Sequence, residues 1–370
     1  MRVQLTGIHI SRDGKPILRD LNLETHTNEY VVILGSNGAG KTTTLRAIAG
    51  LQPIDVGSIE FDGKCVTTTV PRKRSVSMVF QDDALYPHLK VSELIRQGQA
   101  SAITAGERAK QFDTIVEQSR LIELLDRYPH QLSGGERRRT AIAHAMARGA
   151  NVRLLDEPLT SLDPSLRPQL LHDLQNWHET SPGTTIHVTH SAEEAMQIAN
   201  RIAILSDGRI VQFDKPEAIY RCPAHIDAAT SLGSPLINLL RFQADELQDD
   251  TCRINLQSAT QEQTRTGITN LVMGIRPRDW VVDPVTSRAF STSQKGLSLR
   301  ATIHRSWISC HEIHAIARWK KQMIRLVLPD HQSGFIDQQQ PPQQGLPILL
   351  HALPKHIHLF DTKTGQRVDE

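Results

Sequence analysis

"VVILGSNGAGKTTTLRAIAGL", Val31–Leu51, decides the fold. It opens on a short β-branched run, passes through three closely spaced glycines, and continues with helical spacing at Leu45, Ile48 and Ala49. The pattern predicts strand, loop and helix in succession. Within it "GSNGAGKT", Gly35–Thr42, fits G-x-x-x-x-G-K-[ST] in the setting that makes this motif specific, after a strand and before a helix. Glycines there let backbone N–H groups turn inward around phosphate oxygens, and the following helix adds the positive end of its dipole. The residues expected to hold a nucleotide are therefore Gly35, Ser36, Asn37, Gly38, Ala39, Gly40, Lys41, Thr42 and Thr43. Lys41 brings a cation to the β- and γ-phosphates, and the Thr42 hydroxyl is a Mg²⁺ ligand.

Further strands with the same buried character lie downstream. "LLDEP", Leu154–Pro158, ends an apolar run on two adjacent carboxylates. An Asp-Glu pair alone reads as a solvated turn. Beside a phosphate-binding loop, Asp156 is expected to hold Mg²⁺ through its water shell. Glu157 then polarises an attacking water, a general-base role worth about 10²–10⁴ in rate. Gln81 follows "MVF" and His190 follows "IHVT". Both sit at strand ends, where α/β sheets place ligands. They are expected to offer an amide (also a Mg²⁺ ligand) and an imidazole to the γ-phosphate and its water. Val3–Ile10 alternates like a half-buried strand, and residues 91–147 turn helical, with Leu121, Leu124 and Leu125 on one face. Alternating strands and helices predict a parallel α/β sheet.

The character changes around "SLGSPLINLL", Ser231–Leu240. Beyond it, "LVMGI", "SLRATI" and "IRLVL" are short β-type runs separated by turn residues, which predict a β-rich, barrel-like second domain. The expected domains are residues 1–234, with a helical insert at about 91–147, and residues 235–370. "DQQQPPQQG", Asp337–Gly345, is too polar to pack and reads as an exposed loop. Lys plus Arg number 42 against 40 Asp plus Glu, a net charge of +2 that argues against a dedicated nucleic-acid binder. Cys65, Cys222, Cys252 and Cys310 form no C-x-x-C and no nucleophile pattern. The scattered C-terminal histidines (His304, His311, His314, His351, His356, His358) show no metal-ligand spacing. No signal peptide or membrane-spanning run is expected, which fits a soluble cytoplasmic chain.

One motif is left over. "LSGGERRR", Leu132–Arg139, is a second Ser-Gly-Gly turn opening a helix, roughly ninety residues after the first phosphate loop. With "SLD" at 161–163 it completes the order Gly35–Thr42, Gln81, Ser133–Glu136, Asp156–Glu157, Asp163, His190. Over the first 230 residues this order resembles the ATP-binding-cassette (ABC) ATPases. The resemblance implies a P-loop α/β domain with an antiparallel β subdomain and a helical insert. It also implies that two subunits meet head to tail, so that Ser133, Gly134, Gly135 and Glu136 close on the γ-phosphate held by the partner's Lys41. Asp163 resembles the aspartate that couples the two sites. Helix N-termini make anion sites wherever they are exposed, and a homodimer supplies two by symmetry. Arg137–Arg139 read as a solvated helix face.

"FQDDALYPHLKV", Phe80–Val91, is similar to the segment with which importer ATPases grip a membrane subunit. "GSPLINLL", "MGIRPRDW" and "PKHIHLFDTKTGQRV" are similar to the OB-like (TOBE) accessory domain of carbohydrate and glycerol-phosphate importers. The resemblance implies an ATPase on the cytoplasmic face of the inner membrane, peripheral, with two transmembrane permease subunits and a solute-binding protein, and with no nucleic acid. Polyamine, iron and oxyanion importers share this architecture. A soluble ABC ATPase of DNA repair or translation and a regulatory binding module are the rivals; neither long coiled-coil insertions nor a second cassette is present. Departures from the family are Glu136 in place of the commoner Gln, Arg153 at an apolar strand position, and Ser191 in place of Asp.

No aromatic stands where similar ATPases stack adenine; Tyr30 is the first Phe, Tyr or Trp, and Arg12 takes the place by rough matching. Stacking on an aromatic ring is worth ~1–3 kcal/mol per base, which a hydrated Arg recovers only in part. GTP is therefore expected to bind within about tenfold of ATP. Arg12→Tyr should tighten ATP with little change in maximal turnover. Titrating both nucleotides against both proteins checks this.

Overall fold

The computed structural model describes residues 1–82, 85–99, 104–160, 162–242, 251–255, 271–284, 295–309, 311–328 and 341–368. Asp83 and Ala84, Ser161, Cys310 and positions 337–340 of the Gln-rich run lie outside the described residues. The chain divides into two compact units, Met1–Ala218 and Ile219–Glu370.

In the first unit β1 (Val3–Arg12) turns into β2 (Lys15–Glu24) through Asp13 and Gly14, both with positive φ (52° and 73°). That is the backbone a two-residue hairpin with right-handed twist requires. With β4 (Val56–Phe61) and β5 (Lys64–Cys65) they form an antiparallel sheet in the order β2-β1-β4-β5. A second sheet runs β10-β9-β3-β8-β7-β6. Its strands are β3 (Tyr30–Leu34), β6 (Val76–Val79), β7 (Val152–Asp156), β8 (Thr184–Thr189), β9 (Arg201–Ser206) and β10 (Arg209–Asp214). All pairings are parallel except that of β10 with β9. Every residue of β3, β7 and β8 is buried, the signature of central parallel strands covered on both faces. Both sheets and α1 (Lys41–Ala49) share one core, which joins Leu45 and Ile48 of the helix with Ile33, Leu154 and Val188 of the parallel sheet and Leu5, Ile8 and Leu21 of the antiparallel one.

The helical stretch resolves into α2 (Val91–Gly98), α3 (Ala105–Gln118) and α4 (Gly134–Ala147). Thr104 and Ser133 each open a helix with a capping box, closed by Glu107 and Glu136 three residues on. Each side-chain oxygen accepts from an orphan N–H of the first turn while the carboxylate accepts from the cap N–H. Two further helices, α5 (Arg167–Thr180) and α6 (Ala192–Ile198), complete the crossovers. No described helix is long and apolar enough to cross a membrane.

The second unit is antiparallel and β-rich, the OB-like architecture expected. A three-stranded sheet holds β11 (Asn238–Arg241), β13 (Leu271–Ile275) and β19 (Ile357–Asp361). A second holds β14 (Trp280–Pro284), β18 (Pro347–Ala352), β15 (Gly296–Ser309), β16 (Glu312–Trp319) and β17 (Gln322–Leu328), with β12 (Cys252–Asn255) paired to β15. The Asn238 side chain ties the two sheets as a strand neighbour would, donating to the Arg325 carbonyl (2.8 Å) and accepting from its N–H (2.7 Å). Trp280 and Trp319 are buried in the core between them.

The expected domain boundary falls after residue 234, whereas the chain divides at 218/219. The segment between, with the end of α7 (Pro216–Arg221) and with α8 (Ile226–Ser231), is bound to the second unit's sheets by Arg276. Its guanidinium, 2 % exposed, donates to the carbonyls of Ala229, Leu232 and Tyr220 and lies 4.1 Å from the Tyr220 ring centre. Burial pulls its pKa below the ordinary arginine value. Removing such a donor orphans three carbonyls at about 1–3 kcal/mol each. Arg276→Met should therefore lower the midpoint of the C-terminal unit's transition in differential scanning calorimetry while leaving that of the first unit in place.

Candidate active site

The register of the parallel sheet brings three chain segments to one edge. Leu34 pairs with Thr189 and Asp156 with Val188, so Gly35, His190 and Glu157 all leave their strands at nearly the same level. The loop after β3 turns through Gly38 (φ 85°) and Gly40 (φ 104°) before α1 begins at Lys41. A Cβ on Gly40 would stand 2.6 Å from Leu18 Cδ2, and one on Gly35 would collide with the Leu205 carbonyl. The loop must stay bare to lie this close to the sheet.

Lys41 is 5 % exposed, and its ammonium donates to its own loop carbonyls at Gly35 (2.9 Å) and Ser36 (3.1 Å). It also pairs with Glu157 Oε1 at 3.5 Å. The Thr42 hydroxyl donates to Asp156 Oδ1 at 2.9 Å. Burial raises the Asp156 pKa, only partly offset by that hydrogen bond. A hydroxyl and a carboxylate held together beside a phosphate loop are the oxygen donors that a Mg²⁺ ion on a nucleotide takes. Glu157 has φ 45°, a left-handed backbone unusual outside glycine, held by its N–H on the Val188 carbonyl (3.0 Å). Its Oε2 accepts from Thr160 Oγ1 (2.8 Å) and lies 3.3 Å from His190 Nδ1.

The structure thus brings Gly35–Thr42, Asp156, Glu157 and His190 together. Gln81 is exposed just beyond β6, at the same edge of the sheet, and no hydrogen bond links its side chain to the others among the described residues. Ser133, Gly134, Gly135 and Glu136 stand apart at the N-terminus of α4, and none of their hydrogen bonds among the described residues reaches the Gly35–Thr42 loop. The Glu136 carboxylate accepts from the Ser133 N–H (2.7 Å), which holds its pKa low and gives a carboxylate at this position a clear use. Asp163 is exposed and accepts from Ser165 N (2.9 Å) and Oγ (2.7 Å), which lowers its pKa. Arg12 projects into solvent beside Asp13.

Two arginines correct the sequence-based expectations. Arg138 is not on a solvated face: it is 1 % exposed, while Arg137 is exposed. Its guanidinium donates to the carbonyls of Phe80 (2.6 Å), Pro158 (2.7 Å), Asp156 (3.1 Å) and Glu157 (3.0 Å). The signal was present in the sequence, since Arg138 shares a helical face with Ala141, Ile142 and Ala145. Arg153 lies within its strand rather than snorkelling out of it. It is 4 % exposed, donates to the carbonyls of Ser181 (2.6 Å) and Pro182 (2.8 Å), and stacks over Trp177. Thr160, which orients Glu157, carried no sequence signal.

Fold and site together define a P-loop nucleotide-binding ATPase. The ABC transporter family matches residues 18–160. The chain is 32 % identical to the xylose/arabinose import ATP-binding protein of Haloferax volcanii over 99 % of its own length and 95 % of that protein. It is 32 % identical to the sn-glycerol-3-phosphate import ATP-binding protein of Escherichia coli over 99 % of each. Identity to the maltose/maltodextrin import ATP-binding protein of Mannheimia succiniciproducens is 36 %, over 75 % of this chain and 77 % of that one. Among solved structures, the dimeric cassette MJ0796 bound to ADP and Pi matches 58 % of this chain and 98 % of its own (TM-score 0.51, 27 % identity). The chain belongs to the ABC transporter ATPases.

Arg138 fastens the helix that begins at Ser133 to the strand ends bearing Gln81, Asp156 and Glu157. Arg138→Met should therefore depress ATPase turnover, by up to about 100-fold if the base shifts by ~1 Å. The affinity for Mg·ATP, which rests on Lys41 and the glycine loop, should change little. Steady-state kinetics set beside equilibrium nucleotide titration separates the two effects.

Proposed function

We propose that this chain is the ATP-hydrolysing subunit of an importer of carbohydrate or glycerol-phosphate. It would act as a head-to-tail homodimer, peripheral on the cytoplasmic face of the inner membrane, beneath two permease subunits supplied by a solute-binding protein. The observation that carries this reading is the meeting of Lys41, Thr42, Asp156, Glu157 and His190 at the ends of β3, β7 and β8. The relatives that import xylose/arabinose and sn-glycerol-3-phosphate support the solute class, because their likeness runs through both units rather than the first alone.

The Gly35–Thr43 backbone and Lys41 bind the triphosphate. Thr42 and Asp156, with Gln81 from the end of β6, would hold Mg²⁺, which would supply charge neutralisation to the phosphate oxygens. Glu157 takes a proton from water as the water oxygen attacks the γ-phosphorus and the bond to the bridging oxygen breaks, releasing ADP and phosphate. His190, already against the Glu157 carboxylate, orients both base and γ-phosphate. The Ser133–Glu136 turn, whose hydrogen bonds among the described residues do not reach the Gly35–Thr42 loop, would serve the partner's phosphate, with Asp163 coupling the two sites.

Glu157→Gln keeps the shape but cannot take the proton, so turnover should fall by about 10²–10⁴. It should still bind ATP and, with Mg·ATP, elute as a stable dimer in size-exclusion chromatography. Near-normal turnover would remove Glu157 from the base role, and a monomer with ATP bound would remove the shared site.

A further inference from the structure

His190 stands on a joint of two residues, between the end of β8 at Thr189 and the start of α6 at Ala192. Its imidazole is 48 % exposed and lies 3.3 Å from Glu157 Oε2, so packing holds it little and its place is set by the backbone on either side. Ser191 caps α6, its hydroxyl accepting from the Glu194 N–H (3.3 Å). Ser191 and Glu194 have the spacing of a capping box, in which the glutamate accepts from the cap's own N–H, as Glu107 and Glu136 do in α3 and α4. Glu194 does otherwise. Its Oε2 accepts from Thr189 Oγ1 (2.7 Å), and that hydroxyl oxygen accepts in turn from the Ser191 N–H (3.0 Å). The box is closed through the side chain of the residue before His190.

The carboxylate that does this is 8 % exposed. Burial raises its pKa, and the Thr189 hydrogen bond offsets this only in part. Glu107 makes the ordinary box from an exposed position, where a charge stays hydrated at no such cost. Satisfying the interior does not account for the burial either. His187 Nε2, a buried atom with no hydrogen-bond partner among the described residues, lies 3.9 Å from Glu194 Oε2 and goes unserved. His187 is neutral, since burial takes its pKa down to about 3, and its Nδ1 already faces the Tyr30 hydroxyl (3.1 Å). What the buried carboxylate gains is a hold on both chain neighbours of His190 at once, Thr189 by its side chain and Ser191 by its N–H.

We propose that Glu194 is a positioning residue for ATP hydrolysis: by fixing Thr189 and Ser191 it holds the His190 imidazole against Glu157. The inference rests on the reading that His190 orients the base and the γ-phosphate. An imidazole displaced by about 1 Å loses that orientation, a fault that costs up to about 100-fold in rate. Triphosphate binding, which rests on Lys41 and the glycine loop, needs no part of this linkage.

The test is single-turnover hydrolysis of radiolabelled Mg·ATP by the full chain, which keeps losses of about 10⁴ readable, with equilibrium titration of Mg·ADP alongside. Glu194→Ala should slow hydrolysis by about 10- to 100-fold. Its Mg·ADP affinity should stay within about twofold, which also establishes that the variant is folded. Glu194→Gln, whose amide oxygen can still accept from Thr189, should recover hydrolysis to within about threefold of the parent. In a His190→Ala background nothing is left to position, so Glu194→Ala should there cost less than about twofold. A general structural role would carry the full loss into both backgrounds. Should Glu194→Ala not fold, Thr189→Val, which removes the hydroxyl and keeps the shape, takes its place in the same cycle. Equal losses in the two backgrounds, parental hydrolysis by a folded Glu194→Ala, or no recovery in Glu194→Gln each overturns the inference. Parental hydrolysis by His190→Ala alone would remove His190 from the reaction and the inference with it, so failure of the underlying reading shows in that variant by itself.

Discussion

Everything chemical in the first unit depends on the in-register parallel pairing of β3, β8 and β7. Leu34 opposite Thr189, and Val188 opposite Asp156, put three strand exits side by side. From one exit comes a glycine loop, from the next an imidazole, from the third a carboxylate pair. A slip of one residue in any pairing would reverse which face its side chains occupy and turn Asp156 away from Thr42. Complete burial of the three strands guards against such a slip. It follows that the most hydrophobic part of the molecule is also what sets the precision of its most polar part.

A second device recurs through both units: an arginine is buried not against a carboxylate but against backbone carbonyls. Arg74 gathers Thr67, Thr69, Ala47 and Ile48 beneath the end of α1. Arg138 gathers the chain at Phe80 and from Asp156 to Pro158, and Arg276 does the same for α8. Carbonyls at helix C-termini and strand ends carry partial negative charge and lack partners, so a planar five-donor group satisfies several at once. Each guanidinium fastens segments that no secondary structure joins. Arg153 uses the same device on the carbonyls of Ser181 and Pro182, and in Arg153 and Arg276 alike one guanidinium nitrogen makes no hydrogen bond among the described residues.

The parts most legible in the sequence were those whose chemistry is local. Strand, glycine loop and helix at Val31–Leu51, and the carboxylates after "LL", stand where the motifs put them, because a P-loop is built from consecutive residues. Buried strands announced themselves by composition. What the sequence hid was set by contacts at long range. That Arg138 is interior was written in the helical spacing of α4, but which carbonyls it meets, at Phe80 and from Asp156 to Pro158, was not. That Arg153 is tolerated in a central strand depends on a bare Gly183 and on Trp177, brought from a different helix. The extent of the second unit was hidden for a similar reason: α8 belongs with Arg276, more than forty residues away.

The contact between Lys41 and Glu157 has a consequence for selectivity. The Lys41 ammonium and the Glu157 carboxylate are spent on each other, and the loop carbonyls of Gly35 and Ser36 take up the ammonium's remaining hydrogens. A chloride or a bicarbonate arriving from solution meets a locally neutral cradle, and offers the lysine one contact in exchange for three. A polyphosphate repays that exchange by engaging the whole row of loop amides as well. Self-neutralisation therefore sets an entry threshold that counts the visitor's contacts, and it keeps a crowded ionic background out of a site whose affinity is mostly electrostatic.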